Sequence, residues 1–383
     1  MFIVMKFFIK SLLPVIIIIP FLSCNLKVRN GLLTKKTDRE KYEQKVLKDS
    51  GKLNPIVNAW LNAAEYSLNN PLNVGGNFSE RGRFYKNDST ATSYLVDIKR
   101  GQKINVSLNK LSNNFNVYMD LWEAGDTAIR KTPAFITASD TGRNTIEYAA
   151  TKDEKIIIRF QQDLSAQSEY EFEIKTGPVF SFPISPSVKS NIGSLWGDAR
   201  DAGVRKHEGI DIFAAKNSPA VAVADGIISS VSENELGGKV VFLRPANMNY
   251  NVYYAHLDSQ LVEEGQRVVK GQTIGLVGNT GNARTTAAHL HFGIYTMSGA
   301  IDPLLFVKPI SYVKKVSTTF PLKNNFVAIR SAKLLTDITV KKAIHNIIKN
   351  APVKVYAVAD NYYRVATADG KKGFILKSDV RQL

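Results

Sequence analysis

Alternation of apolar and polar residues constrains the fold of this chain more than any other feature. Between residues 94 and 174, apolar side chains recur at every second position in short runs separated by turn-forming residues. The runs contain Tyr94, Val96 and Ile98; Ile104, Val106 and Leu108; Val117, Met119 and Leu121; and Tyr170, Phe172 and Ile174. A period of two puts alternate side chains on one face of a strand, and several short strands are typical of a β-sandwich. We therefore predict a mainly β protein.

The segments on either side of these runs have other patterns. Residues 38–49 and 56–68 have helical spacing, which predicts two short N-terminal helices. Near the C-terminus the strand pattern returns, with Asp369-Gly370 as a hairpin turn. The C-terminal runs are residues 326–330, 353–358, 362–366 and 373–376. Their sequences resemble a bacterial Src-homology-3-like domain, which implies a small β-barrel.

The first 24 residues have the basic start and apolar middle of a secretory signal, and the apolar run is too short to span a bilayer comfortably. A retained membrane anchor is the alternative, and Met5 is an alternative start. Cys24 is the only cysteine, which excludes an intramolecular disulfide. Residues 21–24 resemble the lipobox of bacterial lipoproteins, which implies a lipid on Cys24 and an anchored chain. By the same resemblance, Asn25 implies the outer membrane, facing the periplasm.

Basic residues are concentrated in the last fifth of the chain. Residues 311–383 contain 11 Lys and 3 Arg against 4 Asp and no Glu, within a whole-chain net charge of +16. An exported protein meets anionic envelope polymers rather than nucleic acid, so we predict such polymers as partners. A solvated face without a partner is the alternative.

Proline-containing segments divide the chain, whose 383 residues exceed one ordinary core. Thr176-Gly177-Pro178 begins a linker into the next domain, and a second boundary falls near residues 303–309. The predicted divisions are a lipoprotein signal peptide (1–24), a tether with short helices (25–90), a β-sandwich (91–177), a central domain (178–309) and a basic β-barrel (310–383).

Four of the five histidines lie in the central domain. His289 and His291 are two residues apart, so on a strand they share one face while Leu290 enters the core. Imidazole is the usual zinc ligand near neutral pH. This pair alone is equally compatible with two ordinary buried histidines.

A second pair, His207 and Asp211, needs a bend to act together. In an extended chain they would stand ~13 Å apart, and Gly209 is the residue at which a bend costs least. Asp211 would then face away from its apolar neighbours, although a surface turn would have the same pattern. His256 follows the predicted strand 252–255. Together these residues supply the three ligands and further imidazoles that a catalytic zinc site requires.

Residues 180–307 resemble the lysostaphin or LytM-type zinc metallopeptidases that cut peptidoglycan cross-links. The matching motifs are Trp196-Gly197-Asp198 with Arg200, residues 205–212, 219–226, 254–257, 268–272, 275–281 and 289–293. The resemblance implies an antiparallel β peptidase domain with one zinc ion on His207, Asp211 and His291. It assigns His256 and His289 as catalytic imidazoles that act on a zinc-activated water.

Two alternatives to a zinc metalloendopeptidase remain at this level. One is a noncatalytic LytM-type activator of a cell-wall amidase, although such proteins lose zinc ligands and this chain has them all. The other is an envelope-binding lipoprotein, which is compatible with hydrolysis. The sequence does not indicate which peptide bond is cut, how the chain oligomerises, or how His256 and His289 divide the work.

Overall fold

The structure is a computed structural model that describes residues 35–51, 54–86, 89–112, 115–125, 132–140, 142–200, 203–310 and 324–383. The predicted export signal and its Cys24 lie outside these residues. The described part is mostly β, so the predicted fold class is confirmed. Within it, no helix has the length and apolar character needed to cross a membrane.

Two helices precede the strands, as predicted. The first, α1 (Asp38–Ser50), begins with a capping box in which Thr37 and Glu40 exchange side-chain and backbone hydrogen bonds. The second, α2 (Pro55–Asn69), has Asn54 as its cap and proline at its first position. The buried face of α2 includes Trp60, whose ring nitrogen donates to the Gln162 carbonyl at 2.8 Å. This face fixes α2 against the sandwich.

The predicted β-sandwich is built from two hydrogen-bonded layers. One layer has the order β6-β5-β8-β3 and the other β2-β9-β4-β7. Apolar residues from both layers, including all twelve of the predicted alternating positions, form one core. The strands are β1 (Leu72–Asn73), β2 (Phe78–Phe84), β3 (Ala91–Ile98), β4 (Gln102–Lys110), β5 (Val117–Glu123), β6 (Ala134–Ala138), β7 (Thr145–Ala149), β8 (Glu154–Gln162) and β9 (Ser168–Pro178).

Strand β2 belongs to this sandwich, although it precedes the start predicted at residue 91. It pairs antiparallel with β9 from Phe78 to Phe84, and both phenylalanines are buried. The sequence pattern hid the strand because the charged Glu80 occupies an inward position between them. Its buried carboxylate has partners that come from elsewhere in the chain.

The central domain is an antiparallel sheet with the strand order β10-β13-β20-β17-β16-β15-β18. Its core gathers buried residues from most of these strands, including Ile212, Leu290 and Phe292. The strands are β10 (Ser190–Ser194), β11 (Ala199–Arg200), β12 (Arg205–Lys206), β13 (Ile210–Ala214), β14 (Pro219–Val221), β15 (Gly226–Asn234), β16 (Gly238–Pro245), β17 (Asn251–Gln260), β18 (Arg267–Val268), β19 (Thr273–Val277), β20 (His289–Thr296) and β21 (Gly299–Ile301). A short helix, α3 (Leu304–Val307), follows them.

The C-terminal segment is a barrel-like arrangement of seven strands within residues 324–383. Four of them coincide with the predicted runs, and Asp369-Gly370 forms the turn between two. Three further strands escaped the sequence pattern. Register irregularities at Leu334 and Leu335 interrupt the alternation of one pair, and the third strand has only three residues. The strands are β22 (Asn325–Ala328), β23 (Ala332–Asp337), β24 (Lys342–Ile347), β25 (Pro352–Ala359), β26 (Tyr362–Thr367), β27 (Lys372–Leu376) and β28 (Val380–Gln382).

The sandwich and the C-terminal barrel share one hydrogen-bonded sheet. Strand β1 pairs with β23 through Asn73 and Asp337, and β2 pairs with β25 through Arg81 and Val358. The described residues between 37 and 383 accordingly form one compact unit. Two β modules from opposite ends of the described chain are therefore joined through their backbones.

A buried ionic network lies where these two modules meet. The Arg364 guanidinium donates to both carboxylate oxygens of Glu80, at 3.0 and 3.3 Å, and to Thr92 at 3.1 Å. The Tyr94 and Tyr170 hydroxyls donate to the same carboxylate at 2.5 and 2.8 Å. Because each buried charge is paired and hydrogen-bonded, the network satisfies the condition under which buried ions are tolerated.

We expect Glu80→Ala to destabilise the sandwich and the barrel together. The substitution leaves the Arg364 cation buried without its counter-ion, which costs about 3–5 kcal/mol. Urea unfolding followed by tryptophan fluorescence measures the change, since Trp60 and Trp122 both belong to this region. The matched control is Glu147→Ala, which removes an exposed carboxylate 3.0 Å from Lys103 and should cost about 1 kcal/mol at most. Equal unfolding midpoints for the two variants would contradict the expectation.

Candidate metal centre

Three neighbouring strands bring the predicted site residues together. Strands β13 and β20 pair so that Asp211 lies opposite His291 and Phe213 opposite His289. On the other side of β20, β17 places Ala255 opposite His291. The intervening Leu290 is fully buried in the core, and His289 and His291 both lie near Asp211. The predicted arrangement of His289 and His291 on one strand face is therefore what the structure has.

His207 lies in the connection between β12 and β13, where the chain bends as predicted. Its Nε2 atom is 2.9 Å from Oδ1 of Asp211. Gly209 is required here because other atoms approach its Cα closely. Its backbone is not left-handed. A Cβ atom on Gly209 would stand 2.6 Å from the Phe292 carbonyl oxygen and 2.7 Å from Cε1 of His291. The missing side chain leaves the space that the His291 ring occupies.

The donor atoms of His207, Asp211 and His291 form a small triangle. Nε2 of His207 is 2.9 Å from Nδ1 of His291, and both nitrogens lie within 3.0 Å of Oδ1 of Asp211. The centre of such a triangle is about 1.7 Å from each atom, inside the zinc–nitrogen bond length of about 2.0 Å. An ion can therefore contact all three donors from one side. Two imidazoles and one carboxylate are also a known zinc donor set, so these residues fit a metal ion.

Hydrogen bonds to backbone carbonyls fix the protons of three rings. His207 Nδ1 is 2.8 Å from the Leu195 oxygen, His256 Nδ1 is 2.9 Å from the Thr280 oxygen, and His289 Nδ1 is 2.8 Å from the Ala287 oxygen. A carbonyl only accepts, so each Nδ1 carries the proton and each neutral ring has its lone pair on Nε2. For His207 this is the atom at the triangle, which is the arrangement typical of metal-binding histidines.

Burial and neighbouring charges set the protonation of the centre. Burial, followed by the adjacent His289 and His291, lowers the pKa of His256 to about 4. Burial also lowers the pKa of His291. For Asp211, burial alone would raise the pKa, but hydrogen bonds and charge attraction from His207 and His291 in their protonated forms hold it well below its usual range. At neutral pH the centre therefore offers the Asp211 carboxylate and neutral imidazoles at His256 and His291.

His256 lies at an irregularity in β17 rather than at the end of a strand. The prediction ended this strand at Ala255, whereas β17 continues to Gln260. His256 has a φ of 59°, which is uncommon for a residue with a side chain. Its amide donates to the Gly237 carbonyl at 2.7 Å, and its ring lies 5.0 Å from that of His289. The left-handed backbone thus helps to bring the His256 ring beside the β20 pair.

Comparison with known proteins agrees with this geometry. Residues 205–303 match the profile of peptidase family M23. They are an M23 peptidase domain. The chain is 36% identical over 130 residues to the L-Ala–D-Glu endopeptidase of Bacillus subtilis, covering 32% of this chain and 40% of that protein. It is 40% identical over 89 residues to the peptidoglycan DD-endopeptidase ShyC of Vibrio cholerae, covering 23% of this chain and 20% of that protein.

These matches cover only part of each protein. The chain covers 40% or less of the length of these two relatives. Among solved structures, the catalytic domain of lysostaphin from Staphylococcus simulans is 31% identical, over 32% of this chain and 93% of that domain, with a TM-score of 0.29.

Sequence reasoning missed the residues that support the donor triangle. Arg200 donates from Nη2 to Oδ2 of Asp211 at 2.7 Å, and the Leu195 and Thr280 carbonyls orient His207 and His256. Arg200 belongs to the matching motifs, but its sequence position indicates no partner. Backbone acceptors such as Leu195 have no sequence signal at all, since any residue type supplies a carbonyl.

We expect Gly209→Ala to disrupt the M23 site without altering any donor atom. The added methyl group meets backbone and ring atoms at 2.6–2.8 Å, so His291 must move and stability should fall by about 1–3 kcal/mol. The matched control is Gly177→Ala, where a Cβ atom meets nothing within 4 Å. Thermal unfolding and zinc content per chain measure both effects. Full zinc content in a Gly209→Ala protein of unchanged stability would rule out this role for Gly209.

Proposed function

We propose that this chain is a zinc-dependent endopeptidase that hydrolyses peptide cross-links of bacterial peptidoglycan. The observation that carries the proposal is the triangle of His207, Asp211 and His291, with two further imidazoles beside it. The M23 match and the names of the relatives support the same reaction class.

In this proposal His207, Asp211 and His291 hold one zinc ion. When bound, zinc supplies Lewis acidity, which lowers the pKa of a water toward neutrality and polarises a peptide carbonyl. Asp211 contributes a negative charge, and the two histidines contribute neutral nitrogen donors. The backbone bond from His207 to Leu195 keeps the His207 lone pair directed at the site.

His256 and His289 are the proposed catalytic residues. Both rings are nearly buried, and both have Nδ1 committed to a carbonyl, which leaves Nε2 as the atom available for proton transfer. Nε2 of His289 lies 4.0 Å from Oδ1 of Asp211, close to the triangle but outside it. The pair can accept a proton from the attacking water, return one to the leaving amine and stabilise the developing oxyanion.

The complete donor set favours hydrolysis over the activator alternative. A noncatalytic activator has no use for three converging donors with two catalytic imidazoles beside them. All five residues lie within one cluster of side chains in this structure. Binding to the envelope is compatible with cleavage, so the lipoprotein reading adds to this proposal.

We expect the zinc-loaded full chain, in mild detergent, to release fragments from purified peptidoglycan. His291→Ala should release none, because one of three metal ligands is lost. A chelator should abolish release, and added zinc should restore it. Chromatography and mass spectrometry of the fragments identify the bond that is cut. Equal fragment yields from the wild type and His291→Ala, or no fragments from a zinc-loaded wild type, would contradict the proposal.

The same assay separates ligands from catalytic residues. His256→Ala and His289→Ala should retain one zinc per chain while hydrolysis falls by about 10²- to 10⁴-fold, the usual contribution of acid–base catalysis. Zinc loss in either variant would reassign that residue as a ligand.

We also propose that a lipid on Cys24 anchors the chain to the outer membrane, facing the periplasm, and that the C-terminal barrel contacts anionic envelope polymers. The support is the lipobox resemblance and the basic composition of residues 311–383. Exposed lysines on the β23–β24 hairpin, including Lys333, Lys341 and Lys342, are available for such contacts.

We expect Cys24→Ala to move the protein from the membrane fraction to the soluble fraction. The residual envelope binding of this variant should fall as salt is raised, because exposed charges are screened. Fractionation at low and high salt, followed by immunoblotting, measures both effects. If Cys24→Ala stays in the membrane fraction even at high salt, the result argues against the lipid anchor. If the residual envelope binding of Cys24→Ala is the same at low and high salt, the result argues against the basic contact.

A further inference from the structure

The turn between β10 and β11 contacts two of the three proposed metal ligands. The Leu195 carbonyl accepts from Nδ1 of His207 at 2.8 Å. Arg200, at the end of β11, donates from Nη2 to Oδ2 of Asp211 at 2.7 Å. The same short segment therefore touches His207 and Asp211 from the side away from the donor triangle.

Internal hydrogen bonds hold this turn in one arrangement. Asp198 accepts from the Leu195 amide and the Ser194 hydroxyl, each at 2.8 Å. The Asp198 carbonyl accepts from the His207 amide at 2.9 Å, and the Gly197 amide donates to the His207 carbonyl at 2.9 Å. The Ser194 hydroxyl in turn accepts from Nη2 of Arg200 at 2.7 Å. These hydrogen bonds therefore fix the position of Arg200, which also donates to Asp211.

The two oxygens of Asp211 are divided between different partners. Oδ1 lies within 3.0 Å of the nitrogens of His207 and His291, whereas Oδ2 faces the Arg200 guanidinium. A carboxylate whose second oxygen is engaged in this way cannot rotate freely or offer both oxygens to one ion. Both side chains are largely shielded, with 28% of Arg200 and 11% of Asp211 exposed.

We infer that Arg200 is a positioning residue that holds Asp211 as a single-oxygen metal ligand. The inference rests on the proposed zinc site. By keeping Oδ2 away from the ion, Arg200 limits the protein to three donor atoms. One position then stays open for water and substrate, as a catalytic zinc site requires. Partners of this kind behind a ligand typically change metal affinity by about 10- to 100-fold.

The sign of the effect separates positioning from simple electrostatics. Arg200 is a cation close to the site of a divalent cation, so Coulomb repulsion alone predicts tighter zinc binding when its charge is removed. Loss of orientation predicts weaker binding, because Asp211 is no longer held toward His207 and His291. A structural role in folding alone predicts no change in the affinity of protein that remains folded.

The inference is therefore tested by measuring the zinc affinity of the full chain with the substitution Arg200→Met. This substitution keeps the aliphatic length of the side chain but removes its charge and its hydrogen-bond donors. We expect zinc binding, measured by competition with a chromophoric chelator, to weaken about 10- to 100-fold. Arg200→Lys should recover part of the loss. The matched control is Arg244→Met, an exposed arginine on β16, which should bind zinc as the wild type does.

Cobalt substitution gives a second readout. The wild type should show the intense visible absorption of four-coordinate cobalt(II), and Arg200→Met a weaker band as Oδ2 joins the ion. Circular dichroism of the metal-free proteins checks folding. If Arg200→Met does not fold, Arg200→Gln carries the same expectation.

Unchanged or tighter zinc binding by folded Arg200→Met, with the wild-type cobalt spectrum, would overturn the inference and leave the hydrolase proposal standing. A wild type that binds zinc but leaves peptidoglycan intact would overturn only the hydrolase proposal. A wild type that binds no zinc would overturn both.

Discussion

The rest of this structure depends on the interactions of one buried carboxylate, Asp211. Its polar partners keep this carboxylate negatively charged. Asp211 is largely shielded from solvent, and a shielded carboxylate without partners would take up a proton. His207, His291 and Arg200 surround it within 3.0 Å. Each of these partners reaches Asp211 only if β13, β20 and the β10–β11 turn keep their relative positions. The sheet of the central domain therefore brings the polar atoms of Asp211 and its partners together at one site.

A second buried carboxylate has a different role at the other end of the molecule. Glu80 is paired with Arg364 and with two tyrosine hydroxyls. These four groups have a structural role. This network joins the sandwich to the C-terminal barrel, whose strands continue the same sheet. Both carboxylates have polar partners, but only Asp211 lies beside two imidazole nitrogens with which it can bind a metal ion.

Much of the secondary structure and the site could be predicted from the sequence. Helical spacing with cap residues located α1 and α2, and alternation located strands such as β3, β4 and β9, because these signals are local. The types and spacing of His207, Asp211, His289 and His291 indicated metal chemistry before any distance was known. Prediction failed where a strand departs from alternation. Glu80 disguised β2, and irregular register disguised β23 and β24.

Sequence by itself determined a mainly β chain with zinc-type donors in its central part, since side-chain chemistry and local periodicity are written in the residues. Only the tertiary structure decided which atoms meet. It brought Asp211 opposite His291, put His256 in a left-handed backbone beside His289, and aimed Arg200 at Oδ2. The reason is physical: strand register and the pairing of buried charges depend on contacts between residues far apart in the chain, which no local pattern specifies.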